Sequence, residues 1–377
     1  MLTCKSRLLA LVFTLSHFLL PTSHLCDAAA PDAAKQVVER PLLMQVSEKN
    51  PRNSEGDFMR LRNGRLLYIY SHFVGGGWDE SPAHLASRYS TDEGKTWSKS
   101  DASVLPNEGG LNVMSVSMLR LPGGKIALFY LRKNSTTECR PMMRISSDEA
   151  ETWSEPTLCI EQPGYYVLNN DRAVQLKSGR ILLPVCKHFQ PGDKDLDWQG
   201  EVMCYLSDDA GKSWRRSRTT LKHYDSQGKR ITLQEPGVVE LKDGRVMMFV
   251  RSDAGSQQVA HSADGGDTWS KLKSSTMISP LTPASIERIP KTGDLLLVWN
   301  NHTNIAPKLR GKRTPLDIAI SRDEGKTWGN VKTIDHDPQS AFCYTTIFFT
   351  GDDHVLLAYR LNLTTQMVRF PIDWLYQ

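Results

Sequence analysis

Five short stretches of this 377-residue chain hold side chains whose types could do chemistry together. Gln234-Glu235-Pro236-Gly237 puts a carboxylate at the head of an apolar run, and the hairpin that follows ends at Arg251. Arg313 lies just before Leu316-Asp317-Ile318-Ala319-Ile320-Ser321, and Phe342-Cys343-Tyr344 sets a phenol at the start of another apolar run. Asp79 and Glu80 end the loop Ser71-His72-Phe73-Val74-Gly75-Gly76-Gly77-Trp78-Asp79-Glu80, whose glycines suit close approach to a ligand. Arg172 follows Asn169-Asn170-Asp171. Arginine recognises a carboxylate through planar, bidentate hydrogen bonds, and acidic side chains move protons. The set therefore offers acid–base work on an anionic ligand, if one fold gathers residues that lie far apart in the chain. No C-x-x-C or H-E-x-x-H pattern is present, so neither a metal nor a cofactor is expected.

The elements that must position these residues emerge from internal repeats. Ser-x-Asp-x-Gly-x-x-Trp runs from Ser90 to Trp97, Ser207 to Trp214, Ser262 to Trp269 and Ser321 to Trp328, with a fifth copy from Ser146 to Trp153 in which Ala150 replaces the Gly. Successive copies start 56, 61, 55 and 59 residues apart. Asp and Ser side chains bond the amides of such a turn, Gly supplies a positive φ and Trp covers the hairpin, so the copies are read as architecture. Between them, Gly-containing hairpin turns recur at Asn63-Gly64, Gly123-Gly124, Ser178-Gly179, Asp243-Gly244, Thr292-Gly293 and Gly351-Asp352. The pattern predicts an all-β chain, a six-bladed β-propeller whose last blade takes its outer strand from the N-terminus, around Leu42 to Ser47. In such a fold the starts of inner strands and the loops after second strands converge on one face of the central channel.

The five turns read as Asp-boxes, and Asp-boxes on a six-bladed propeller of this length resemble the sialidase (neuraminidase) family over essentially the whole mature chain. Glu235 opening a strand whose hairpin closes at Arg251, Arg313 upstream of the last Asp-box and Tyr344 opening the last blade are each similar to that family's segments. The resemblance implies a glycosidase acting on a terminal acidic sugar of glycoconjugates. In it Tyr344 would be the nucleophile, Glu235 its base and electrostatic partner, and Asp79 the acid that protonates the leaving oxygen, with Glu80 the competing carboxylate for that role and Arg251 and Arg313 holding the substrate carboxylate. A sialoside carries that carboxylate on its anomeric carbon and would repel a carboxylate nucleophile, which rationalises a neutral Tyr.

One segment departs from the family. Where sialidases begin their first inner strand with Arg-Ile-Pro, this chain reads Asn53-Ser54-Glu55-Gly56-Asp57-Phe58. Arg52 falls too early and Arg60 lies inside the strand, so Arg172 is the expected substitute cation, with a salt bridge to Asp171 or Glu55 as the competing reading. If Glu55 and Asp57 line the pocket, they would disfavour a second anionic group and accept hydrogen bonds from sugar hydroxyls. A non-catalytic carbohydrate- or protein-binding propeller is the alternative function.

Lys5 and Arg7 ahead of the apolar run Leu8 to Leu20, followed by Ala28-Ala29-Ala30, read as a signal peptide over residues 1–30. That leaves residues 31–377 as one domain in a secreted or periplasmic protein. A membrane anchor is the alternative, and the run is short for one. Cys186 and Cys204 flank a hairpin and could pair in an oxidising compartment. With 46 Lys plus Arg interspersed among 42 Asp plus Glu, the chain shows no nucleic-acid footprint.

Overall fold

A computed structural model describes residues 37–377, and the expected signal peptide lies outside the described residues. Val37–Gln377 form one compact unit of antiparallel sheets. Among the described residues, helical turns are confined to two short 3-10 segments, and no helix is long and apolar enough to cross a membrane.

Each sheet is built from hairpins in chain order. The first comprises Arg52–Arg60, Leu66–Phe73, Ala83–Ser90 and Ala102–Leu105. A nine-stranded sheet follows, in which Asn112–Arg120, Ile126–Lys133 and Cys139–Ser146 join Ile181–Phe189 and Glu201–Ser207 through the short strand Tyr165–Val167. That strand pairs parallel with Cys139 and antiparallel with the strand Ile181–Phe189. Two further four-stranded sheets begin at Leu233–Glu240 and Ser285–Arg288. The last holds Phe342–Phe349, His354–Leu361 and Thr364–Pro371, and its fourth strand is the N-terminal Glu39–Met44, which pairs with Thr364–Pro371. The start and end of the described chain thus share one sheet, and the edge of its last strand is covered.

Apolar side chains pack between consecutive sheets. Phe58, Leu66, Tyr68 and Tyr70 of the first sheet meet Leu356, Ala358 and Met367 of the last, and Leu296, Val298 and Ile318 meet Val355, Leu357 and Val368 at the preceding junction. Strands buried on both faces explain near-continuous runs such as Leu295-Leu296-Leu297-Val298. Truncating one such Leu to Ala costs about 2–5 kcal/mol.

The repeated turns share one hydrogen-bond scheme. In the first, Ser90 Oγ donates to Asp92 Oδ1 at 2.8 Å and accepts from Gly94 N at 2.9 Å, while Asp92 accepts from Thr96 N and Oγ1. Ser146, Ser207, Ser262 and Ser321 repeat it. Hydrogen bonds to the ionised form hold Asp148, Asp209, Asp264 and Asp323 down at about 2, although burial opposes the shift and is its largest single influence at Asp264. Ala150 adopts φ 69°, the left-handed conformation that Gly supplies in the other copies.

Four inner strands carry a bulge at the same place. The register slips between Ser54 and Asp57, Met114 and Ser117, Gln234 and Gly237, and Cys343 and Thr346. The first residue inside each slip, Glu55, Ser115, Glu235 or Tyr344, has positive φ between 45° and 59°. A bulge re-aims a side chain out of the strand's alternation, and a left-handed non-glycine residue is held there only by its surroundings.

Candidate active site

The four bulge residues, contributed by four different hairpins, line one cavity of about 370 Å³. Arg251, Arg313, Asp79, Lys133, Asn169, His188 and Trp198 complete much of its wall. Tyr344 Oη lies 3.4 Å from Glu235 Oε1, and the other oxygen of Glu235 accepts from Arg251 at 2.6 Å. Arg313 donates to Cys343 Sγ at 3.1 Å, and its guanidinium carbon stands 5.6 Å from the centre of the Tyr344 ring. These are the only side-chain hydrogen bonds that Arg251 and Arg313 make among the described residues, which leaves most of their guanidinium N–H groups free for an anion. Burial and the neighbouring Glu235 push the Tyr344 phenol well above its usual range, against the pull of Arg313 and Arg251, so at rest it is protonated.

The bulges explain how distant residues meet. Gln234 pairs with Arg251 and Cys343 with Arg360, one residue ahead of Glu235 and Tyr344 respectively. Each bulge residue is therefore flanked by whatever ends the adjoining second strand. Arg360 stands 5.8 Å from the Tyr344 ring, outside the cavity wall.

Asp79 sits on the loop after the first hairpin and is half exposed, at 54%. Its carboxylate pairs with Arg52, and its backbone carbonyl accepts from Asn112 at 2.7 Å and Lys133 at 2.9 Å. Burial would raise its pKa, but Arg52 by charge and hydrogen bond, with Lys133 and Arg360, outweighs this and lowers it. Arg52 also pairs with Glu55 at 3.0 Å and lies 4.4 Å from the Phe73 ring centre. Burial pushes Glu55 up, aided by Asp79 and Glu235, and Arg52 only partly offsets this.

Several expectations change. Arg172 does not line the cavity. It is buried, donates to Ala284 O at 2.6 Å and Ser285 Oγ at 3.4 Å, and stands 5.5 Å from the Phe249 ring centre. The segment around it bonds to other strands through Asn170, the Asp171 N–H and the Arg172 N–H, and that path turns the Arg172 guanidinium toward Ala284 and Ser285. Arg52, set aside on spacing, is the cation at the first strand's start, but it is covered by Glu55 and Asp79 and serves the wall from behind. Asp57 is buried outside the cavity, accepting from the backbone N–H of Phe58 and of Met118 at 2.6 Å each. Cys186 and Cys204 are both free: Cys186 faces Val202 and Cys204 faces Pro184, a diagonal offset too long for a disulfide. Lys133, Tyr165, His188, Asn169 and Trp198 also line the cavity, although no motif or spacing in the sequence marks them for it; Trp198 is 66% exposed.

A larger cleft of about 1010 Å³ is lined by Tyr166, Tyr205, Trp214, Arg215, Arg216 and Arg218 among others. Arg215 and Arg218 are paired with Asp267, and the cleft holds no hydrogen-bonded nucleophile and base. Chemistry converges in the smaller cavity.

Comparison with known proteins follows this geometry. The model of the BNR repeat-like domain matches residues 112–356, and that of the BNR/Asp-box repeat matches residues 88–99. A sialidase of Bacteroides fragilis is 25% identical over 303 residues, covering 70% of this chain and 52% of the relative. The chain thus spans about half the length of that curated relative. A protein of unknown function from Dyadobacter fermentans shares the fold with a TM-score of 0.69 at 18% identity, over 89% of this chain and all of its own. The NanB sialidase of Streptococcus pneumoniae does so with a TM-score of 0.67 at 16% identity, over 89% of this chain and 71% of its own.

Proposed function

The chain belongs to the BNR repeat-like domain family, within the sialidase superfamily, and from that premise we propose that it is an exo-glycosidase of sialidase type acting on a six-bladed propeller scaffold. The nine-stranded sheet then counts as two blades joined by Tyr165–Val167, and the five turns count as Asp-boxes. The observation that carries the reading is the Tyr344–Glu235 contact beneath two mostly unengaged guanidinium groups, Arg251 and Arg313.

In the proposed reaction Arg251 and Arg313 hold the carboxylate of a terminal acidic sugar, which sets the anomeric carbon against Tyr344 Oη. Tyr344 bonds to that carbon as its phenolic proton passes to Glu235, and the glycosidic C–O bond breaks with a proton from Asp79 to the leaving oxygen. Asp79 then takes a proton from water, the hydroxide displaces Tyr344, and Glu235 returns its proton to the phenolate. A ligand covering the half-exposed Asp79 removes its water and raises its pKa, the direction a general acid needs. Export from the cytoplasm, by the signal-like N-terminus, belongs to the same proposal.

The test is hydrolysis of a fluorogenic sialoside. The wild type is expected to turn over, and Tyr344→Phe to lose on the order of 10³-fold or more in kcat with its fold intact by circular dichroism. Wild-type inertness toward sialosides and a broad glycoside panel would reject the enzyme and favour a binding propeller.

A further inference from the structure

Among the cavity's carboxylates, Glu55 is the one the reaction does not use. It occupies the first strand's bulge, the position held by Glu235 in the fourth hairpin and Tyr344 in the sixth, with φ 55°. It is 5% exposed and lines the cavity. Its Oε2 accepts from Arg52 at 3.0 Å, and its Oε1 has no hydrogen-bond partner among the described residues. Ser115, the corresponding residue of the next hairpin, also lines the cavity, and its hydroxyl likewise has no partner there.

Glu55 Oε1 is open to the cavity and bonds no protein donor, so solvent meets it until a ligand takes that place. Here the strand spends a left-handed backbone and a buried ion pair to hold that oxygen at the wall. Arg52 anchors one oxygen and so fixes the direction of the other. The surroundings decide what can meet it. Asp79 and Glu235 add negative charge on the same wall, so a second anion on the ligand is repelled, whereas a hydroxyl or amino group is attracted. Arg251 and Arg313, which take the substrate carboxylate, come from other hairpins, so the ligand must present an acid to one part of the wall and a donor to another.

We propose that Glu55 is the specificity-determining residue of this site, its Oε1 accepting a hydrogen bond from a free hydroxyl or amino group on the acidic sugar. The proposal rests on the glycosidase reading for its substrate class and extends it: sugars in which that donor is absent, acylated or alkylated are poor ligands, because they would cover Oε1, take its water and leave it unpaired. A site built to bond a donor rejects an analogue lacking it far more strongly than an apolar pocket rejects a missing methylene.

A panel of fluorogenic sialosides, each lacking one hydroxyl in turn, tests this with wild type, Glu55→Ala and Glu55→Gln. One deoxy analogue is expected to lose about tenfold or more in kcat/KM with the wild type. With Glu55→Ala the parent falls to the level of that analogue, so the ratio between them approaches one, and Glu55→Gln, which keeps an acceptor oxygen, restores part of it. A merely structural role would lower both substrates together and leave the ratio unchanged, which would overturn the proposal while sparing the catalytic reading. Calorimetric binding of the corresponding free acidic sugars separates the two claims. Glu55-dependent discrimination in binding without turnover would reject the enzyme and keep the subsite, whereas equal binding of every analogue, or no binding with no turnover, rejects the subsite.

Discussion

Asp79 and Arg52 show how one contact sets the behaviour of a catalytic candidate. In the free protein Asp79 is held below the ordinary carboxylate range, because the Arg52 guanidinium outweighs the effect of burial. An acid must carry its proton to act, so kcat/KM, which reports the free enzyme, should fall as pH rises through that lowered value. The optimum is therefore expected on the acid side. Arg52→Met removes the cation, Asp79 rises, and the descending limb of the kcat/KM profile should move to higher pH. A Michaelis profile whose limb stays in place would show that Arg52 does not govern the acid. Lys133 and Asn112 bond only the backbone carbonyl of Asp79 and keep the loop in position when Arg52 is lost, which makes the variant readable.

Neighbouring hairpins are tied by a repeated latch outside the site. Glu149, inside the second of the repeated turns, takes the guanidinium of Arg120 on its own inner strand and the backbone N–H of Arg62 on the preceding hairpin. Glu93 does the same with Arg60 and Gly351, and Glu324 with Arg288 and Lys242, so the first of these latches joins the last sheet to the first. In the fourth hairpin Glu240 stands where those arginines stand and accepts the N–H of Lys177 directly. Glu149→Gln, which weakens a charge-assisted pair of low exposure, is expected to cost about 1–2 kcal/mol in chemical denaturation, while Glu151→Gln, at a pair that is mostly exposed, should stay within about 0.5 kcal/mol. The latch and the turns are local, and they explain why the scaffold could be read from the chain: spacing alone located the five turns, whereas Glu235, Arg251, Arg313 and Tyr344 were legible through their resemblance to sialidase segments. What spacing could not locate depends on irregular backbone. Counting along an ideal strand places Arg52 before the site, but the strand begins at Arg52, and the bulge at Glu55-Gly56 inserts an extra residue ahead of Asp57. Arg172 fails for the same reason in reverse, because nothing local indicates that its segment leaves the strand path and runs across the inner strands of other hairpins.

That crossing segment organises the whole molecule. Asn170 donates to Gly56 O at 3.1 Å, the Asp171 N–H to Val116 O at 3.0 Å and the Arg172 N–H to Ser117 Oγ at 2.9 Å, while Asp171 Oδ2 accepts from Ile347 N at 3.1 Å. Ser285 Oγ, which meets Arg172, donates in turn to Thr345 O at 2.9 Å. A single stretch thereby bonds to the inner strands of the first, second, fifth and sixth hairpins and fixes their spacing beneath Tyr344 and Glu55. The cost is electrostatic: Asp57 is buried and Asp171 and Glu287 are part-buried near it, with Arg172 as the neighbouring cation, and loss of solvent first, then mutual repulsion for Asp57 and Glu287, pushes their carboxyls up. Asp171 rises to about 6 from an ordinary 3.8, with Arg172 and the Ile347 N–H opposing the rise. A carboxyl raised in the folded state binds its proton more tightly there than in the unfolded chain, so its contribution to stability is complete below the unfolded value and is lost as pH climbs through the folded one. The aspartates of the repeated turns, held near 2, contribute in the opposite sense and lose their share only as pH falls from about 4 toward that value. Thermal stability should therefore decline between about pH 4 and 6 where most folded domains are near their best. Asp171→Asn keeps an oxygen for Ile347 N–H and removes the titrating charge, so its melting temperature should vary less across that window and exceed that of the wild type at neutral pH. A wild-type melting curve that is flat or rising from pH 4 to 6, unchanged in Asp171→Asn, would mean that Asp57, Asp171 and Glu287 carry no such penalty.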